Sequence, residues 1–89
     1  MRIHGRVDAN QAEIRDAARK AGASWLSLSD VGGGCPDALL GAHGRTWLVE
    51  IKRPKGTLTP DQVRFMSSWR GEKVYVLRSI EDVLQLLRS

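Results

Sequence analysis

Two apolar stretches, Pro36 to Gly41 and Thr46 to Arg53, stand on either side of Ala42-His43-Gly44-Arg45. No other feature limits the folding of this chain as tightly. A His-Gly pair suits the centre of a tight hairpin, where the backbone needs positive φ. With the turn centred between His43 and Gly44, the numbers of opposed residues sum to 87, so Asp37 faces Glu50 and Leu39 faces Leu48. Opposed residues point to the same side of a sheet, with Cβ atoms about 4.5–5.5 Å apart. Lys52, two positions past Glu50, shares that side. A slip of one residue would divide the three between opposite faces. The hairpin therefore gathers two carboxylates and a lysine in one place.

Glu50 lies in Thr46-Trp47-Leu48-Val49-Glu50-Ile51, an otherwise apolar run of the kind buried in a sheet. A carboxylate buried there must be paired or coordinated, because desolvating a charge is costly. The simplest partner is Lys52, as a salt bridge, and Asp37 after Pro36 also fits ordinary turn chemistry. A divalent cation accounts for more of the residues. Asp37, Glu50 and the Ile51 carbonyl supply oxygen ligands of the kind Mg²⁺ or Mn²⁺ takes, with waters completing the shell. Such a metal polarises a phosphate and lowers the pKa of an attacking water. Lys52 then orients or deprotonates that water, or stabilises the developing charge. The chemistry is phosphodiester hydrolysis.

Around this hairpin the pattern predicts five further elements. A first helix follows Val7-Asp8-Ala9-Asn10, with Asp8 or Asn10 as N-cap, Gly22 after its end, and a narrow stripe of Ile14, Ala17, Ala18 and Ala21. Trp25 to Ser29 alternates as a strand, with Leu26 and Leu28 on one face and Trp25, Ser27 and Ser29 on the other. The run Gly32-Gly33-Gly34 calls for positive φ or a close approach. Thr59-Pro60-Asp61-Gln62 reads as a capping box opening a second helix with Phe65, Met66 and Trp69 on its apolar side, ended by Gly71. Lys73 to Arg78 is a strand, and Ser79 with Asp82 caps a last helix carrying Ile80, Val83, Leu84 and Leu87. The expected class is α/β (α+β): an α-β-β-β-α-β-α order with a right-handed crossover and a mixed four-stranded sheet flanked by helices.

Eighty-nine residues make a single domain, 1–89, and a domain this small gains from association, so an oligomer is expected. The net charge of +4 favours a polyanionic partner, and the basic residues are dispersed along the chain with no tail-like block. Lys52, Arg53 and Lys55 stand beside the presumed metal, where they can hold phosphates or simply form a solvated strand end. A single cysteine, Cys35, fits a reducing cytosol, and with no leader-like pattern or bilayer-length apolar run the expected location is cytoplasmic. Cys35 lacks an evident partner base, which argues against a nucleophile. His4 and His43 lack ligand spacing, and His43 serves the turn. Trp25, Trp47 and Trp69 are assigned to the core or to a dimer interface, and base stacking is disfavoured.

Pro36-Asp37 followed by Glu50-Ile51-Lys52, on this order of elements, resembles the PD-(D/E)-x-K nuclease superfamily with its restriction-endonuclease-like core. Asn10-Gln11-Ala12-Glu13-Ile14, Gly32-Gly33-Gly34 before Pro36-Asp37, and Leu58-Thr59-Pro60-Asp61-Gln62 narrow the resemblance to the virus-type replication-repair nuclease (VRR-Nuc) family, over Asp8 to Leu87. The resemblance implies that Glu13 joins the metal shell and that Gln62 lies at the active site. The residues alone also allow Glu13 as an exposed helix residue and Gln62 as a cap. Small stand-alone members, typically phage-encoded, are implied to be homodimers cutting branched DNA such as four-way (Holliday) junctions, in a bacterial cytoplasm. The competing expectations are a nuclease of the same chemistry acting on flaps or duplex DNA, and a catalytically silent DNA-binding module.

Overall fold

The structure is a computed structural model and describes residues 9–89. Asp8 and His4, named above, lie outside the described residues. Along these the elements run α1 (Ala9–Lys20), β1 (Ser24–Ser27), β2 (Ala38–Ala42), β3 (Arg45–Ile51), α2 (Pro60–Ser68), β4 (Tyr75–Leu77) and α3 (Ile80–Arg88). The order is the expected one. The sheet runs β1-β2-β3-β4, with two antiparallel pairs and a parallel β3–β4 pair joined through α2.

The hairpin register is the one read from the sequence: Leu39 opposes Leu48 and Ala38 opposes Val49. Both turn residues take positive φ, 55° at His43 and 74° at Gly44, as a two-residue hairpin requires. This register divides the sheet into two unlike faces. Ala38, Leu40, Trp47, Val49, Ile51 and Leu77 point to one side and form the core with Ile14 and Ala18 of α1 and Val83, Leu86 and Leu87 of α3. Side chains such as Val83 and Leu87 contribute about 1.5–3 kcal/mol each when fully buried. The small Ala18 lets α1 sit close, as the narrow stripe implied. Ala21, placed on that stripe, is exposed instead, because the helix has already closed through the Ala23 N–H to Ala18 carbonyl and the Gly22 N–H to Arg19 carbonyl bonds.

Several boundaries and faces differ from expectation. Asn10 is not a cap, since it lies inside α1. In β1 the residue turned toward the core is Trp25, which packs against it, whereas Leu26 is 60% exposed. Alternation says which residues share a face, and the opposing helices decide which face is covered. Helix α2 ends at Ser68, short of Gly71, and Trp69 is its extended C-cap. The other helix ends follow the sequence. Thr59 and Gln62 form a reciprocal capping box with Pro60 at the first position. Ser79 accepts from the Asp82 N–H, while the Asp82 carboxylate takes the Arg78 N–H.

Candidate active site

Glu50, in the middle of the β3–β4 parallel pairing, has the hydrophobic residues of its own strand on either side and is 2% exposed. It points away from the core, toward α2. Asp37 lies one residue before β2, where the register places it opposite Glu50. Its Oδ2 accepts from the Ile51 N–H at 2.7 Å. A strand residue turns its N–H and C=O to the same side, so the Ile51 carbonyl also lies on the Asp37 side of β3. Lys52 follows, its side chain mostly covered, with Nζ 3.9 Å from Glu50 Oε2.

Gln62 completes the arrangement from α2. Its Oε1 accepts from the Thr59 N–H at 2.9 Å, and its Nε2 donates to Glu50 Oε2 at 3.0 Å. The capping residue and the site residue are one side chain. The approach of α2 is fixed from the glycine-rich loop. Gly34 has φ of 81°, and a Cβ built there would stand 2.3 Å from the Asp61 carbonyl oxygen. Both reasons for a glycine thus meet at one position, directly beneath the first turn that carries Gln62.

Glu50 Oε2 is served by Gln62 and Lys52, but Oε1 is buried and meets no donor among the described residues. The consequence is electrostatic. Burial first, then the charge of Asp37 and a hydrogen bond shared with its carboxyl, raise the Glu50 pKa to about 8, and Lys52 only partly opposes this. Left to protein atoms alone, the pair holds a proton near neutral pH. A hard divalent cation suits the same position: it would take the Glu50 Oε1 lone pairs and the Asp37 carboxylate and displace the proton. The donor set fits such an ion.

The other residues named from the sequence divide clearly. Arg53 and Lys55 are exposed on the loop after β3. Glu13 is exposed on α1, and no three Asp, Glu, His or Cys side chains among the described residues converge as a metal site, so Glu13 does not stand with Asp37 and Glu50. Cys35 lies nearby, with its thiol pushed up by burial and by the Glu50 and Asp37 charges, which makes a poor nucleophile. A cavity of about 440 Å³ opens beyond it, lined by Leu28, Leu39, Leu48, Phe65 and Trp69 among others. None of Asp37, Glu50 and Lys52 lines that cavity, so it is separate from the carboxylate site.

Two side chains that matter here escaped the sequence reading. Asn10 Nδ2 donates to the Lys52 carbonyl at 2.9 Å, and Arg78 donates into the loop that follows. Neither residue carries a local signal for this, since both contacts exist only once α1 and β4 are placed.

No family model matches the chain, and no curated protein does. A solved structure of a VRR_NUC domain, however, superposes with a TM-score of 0.68, at 25% identity, over 91% of this chain and 97% of that one. This chain has the fold of a VRR_NUC domain. The likeness to the VRR_NUC domain extends over nearly the whole chain and supports a nuclease domain. No helix among the described residues is long and apolar enough to cross a membrane.

Proposed function

We propose that this VRR-Nuc domain is a metal-dependent, structure-specific DNA endonuclease that hydrolyses phosphodiester bonds in branched DNA, four-way junctions among them, as a homodimer. The observation that carries the chemistry is Glu50 Oε1: buried, without a donor among the described residues, and beside a second carboxylate. Asp37, Glu50 and the Ile51 carbonyl would hold Mg²⁺ or Mn²⁺. When bound, the ion supplies Lewis-acid activation of the scissile phosphate and an acidified water.

The chain's own residues do the rest. Gln62 fixes the Glu50 carboxylate by binding Oε2, which leaves Oε1 turned to the ligand. Asp37 is held by the Ile51 amide. Lys52 Nζ stands 3.9 Å from Glu50 Oε2 and meets the negative charge that builds on the phosphate. Arg53 and Lys55, exposed and free of ion pairs among the described residues, contact flanking phosphates without reading sequence. The homodimer is supported by the half-covered second face of the sheet. Helix α2 buries none of its residues fully, and Leu26 and Trp69 are 60% and 47% exposed beside the apolar cavity. A second copy of so small a domain is the partner that would cover such a face.

A panel of four-way junction, flap, single strand and duplex, each with Mg²⁺, Mn²⁺ or EDTA, tests this reading. Cleavage of the junction with either metal and none in EDTA is expected. Junction ignored with flap or duplex cut would replace the substrate, and binding without cleavage in any metal would mark a silent module.

A further inference from the structure

The segment Lys52–Gly56 follows the catalytic strand and carries Arg53 and Lys55, yet the sheet does not hold it. Strand β3 ends at Ile51, and the last ladder-like bond is the Lys52 N–H to the Leu77 carbonyl, 3.0 Å. Beyond it the segment turns on one bond, Gly56 N–H to the Arg53 carbonyl at 2.9 Å. Its carbonyls are taken by side chains from distant elements. Asn10 of α1 binds the Lys52 carbonyl at 2.9 Å. Arg78 Nη1 donates to the Gly56 carbonyl at 2.7 Å and the Arg53 carbonyl at 2.8 Å, with the Pro54 carbonyl at a longer 3.3 Å. One guanidinium nitrogen has two hydrogens, so the two short bonds use them and the third is shared.

Arg78 is well placed for this. The parallel register Ile51↔Leu77 sets it beside Lys52, and its backbone N–H is fixed by Asp82 Oδ2 at 2.8 Å in the first turn of α3. It forms no ion pair among the described residues, although salt bridges occur elsewhere in the chain. Its Nη1 is directed wholly at the loop backbone that carries Arg53 and Lys55.

We infer that Arg78, aided by Asn10, is a positioning residue that turns the carbonyls of Lys52–Gly56 inward and so presents Arg53 and Lys55 to the DNA phosphates flanking the cut. The inference rests on the proposed function for its ligand. Lysine cannot substitute: a single flexible ammonium does not reproduce the planar donor geometry, although it keeps the charge. Charge and positioning are therefore separable.

The test is a double-mutant cycle read by fluorescence anisotropy on a four-way junction in EDTA, where nothing is cut. In the wild-type background Arg53→Ala with Lys55→Ala should weaken binding about tenfold and lower the salt slope by about 1.8, or 0.9 for each phosphate contact. In an Arg78→Lys background the same pair should cost less than about threefold, and Arg78→Lys alone should already show the reduced slope despite its unchanged charge. Equal factors in both backgrounds, with the slope of Arg78→Lys unaltered, overturn the inference. Hydrogen exchange supplies an arm that needs no DNA. The Gly56 amide, bonded to the Arg53 carbonyl, should exchange at least about tenfold faster in Arg78→Lys, while Val49 and Leu77 keep their protection. If wild type binds no DNA, the proposed function fails; exchange confined to the loop then still upholds the anchoring, and unchanged exchange refutes it.

Discussion

Replacing Glu50 by Gln mimics the protonated carboxyl, and its effect should grow with pH and reverse sign with metal. The Glu50 pKa stands at about 8 in the fold, against an ordinary 4.5, with burial as the largest cause and Asp37 next. Between those values the folded chain keeps a proton that the unfolded chain has released. Stability therefore falls as pH rises through this window and levels off above it. At about 1.36 kcal/mol per pKa unit, the wild-type loss is on the order of 5 kcal/mol across the whole interval. Gln62 faces the same carboxylate from α2 and Lys52 from just past β3, and Cys35 lies close by, but all three are present in both proteins and cancel in the comparison.

The assay is urea unfolding of wild type and Glu50→Gln from pH 5 to 9, in EDTA and in Mn²⁺. In EDTA the two proteins should be similar near pH 5, and the variant should be the more stable above pH 8 because its neutral amide can donate to Asp37. Adding Mn²⁺ should restore the wild type at pH 8, by about 2.7 kcal/mol at a hundredfold excess over Kd, and should help less at pH 6, where the proton competes. The variant should gain little. Parallel pH profiles for the two proteins, or equal stabilisation of both by Mn²⁺, would refute the reasoning.

Three further outcomes follow from the same geometry. Asp37→Ala and Lys52→Ala should each abolish metal-dependent cleavage while leaving junction binding largely intact, as measured by gel cleavage alongside anisotropy; nicking that survives both changes would displace the site. Gly34→Ala should destabilise the fold more than Gly33→Ala, because both incur the roughly 1–3 kcal/mol strain of positive φ but only Gly34 also meets the Asp61 backbone; equal urea midpoints would contradict this. Leu26→Ser with Trp69→Ser should shift a dimer to monomer in light scattering at micromolar concentration without lowering the unfolding midpoint of the monomer, and a wild type already monomeric there would remove the homodimer.

The sequence carried the hairpin register, the two capped helices and the element order because each is set by residues close in the chain. His43-Gly44 fixes the pairing of Asp37 with Glu50 by arithmetic, and Thr59 to Gln62 fixes the start of α2 within one turn. What depends on helices packing across the sheet was less legible. Leu26 and Trp25 alternate equally well either way, and only the placement of α1 and α3 makes Trp25 the covered one. Asn10 has the composition of a cap and turned out to be a donor to a carbonyl 42 residues away. Arg78 had no signal at all, because its acceptors become neighbours only through the parallel β3–β4 register.

The same dependence explains why Gln62 stands at the junction of fold and chemistry. A capping box needs Gln or Glu at its third position, and either would hold the Thr59 amide. Only the amide also donates to Glu50, whereas a glutamate there would bring a third carboxylate against a pair already poorly solvated. Gln62→Glu should thus keep the helix start yet push the Glu50 pKa higher and weaken Mn²⁺ binding at pH 7, while Gln62→Ala keeps the Thr59 cap but loses the reciprocal bond to the Thr59 N–H, together with the orientation of Glu50. Circular dichroism would report the helix and calorimetric Mn²⁺ titration the site. If Gln62→Glu bound Mn²⁺ as tightly as wild type at pH 7, the hydrogen bond to Glu50 would be a by-product of capping, and the orientation of the carboxylate would have to come from Lys52 and Asp37 alone.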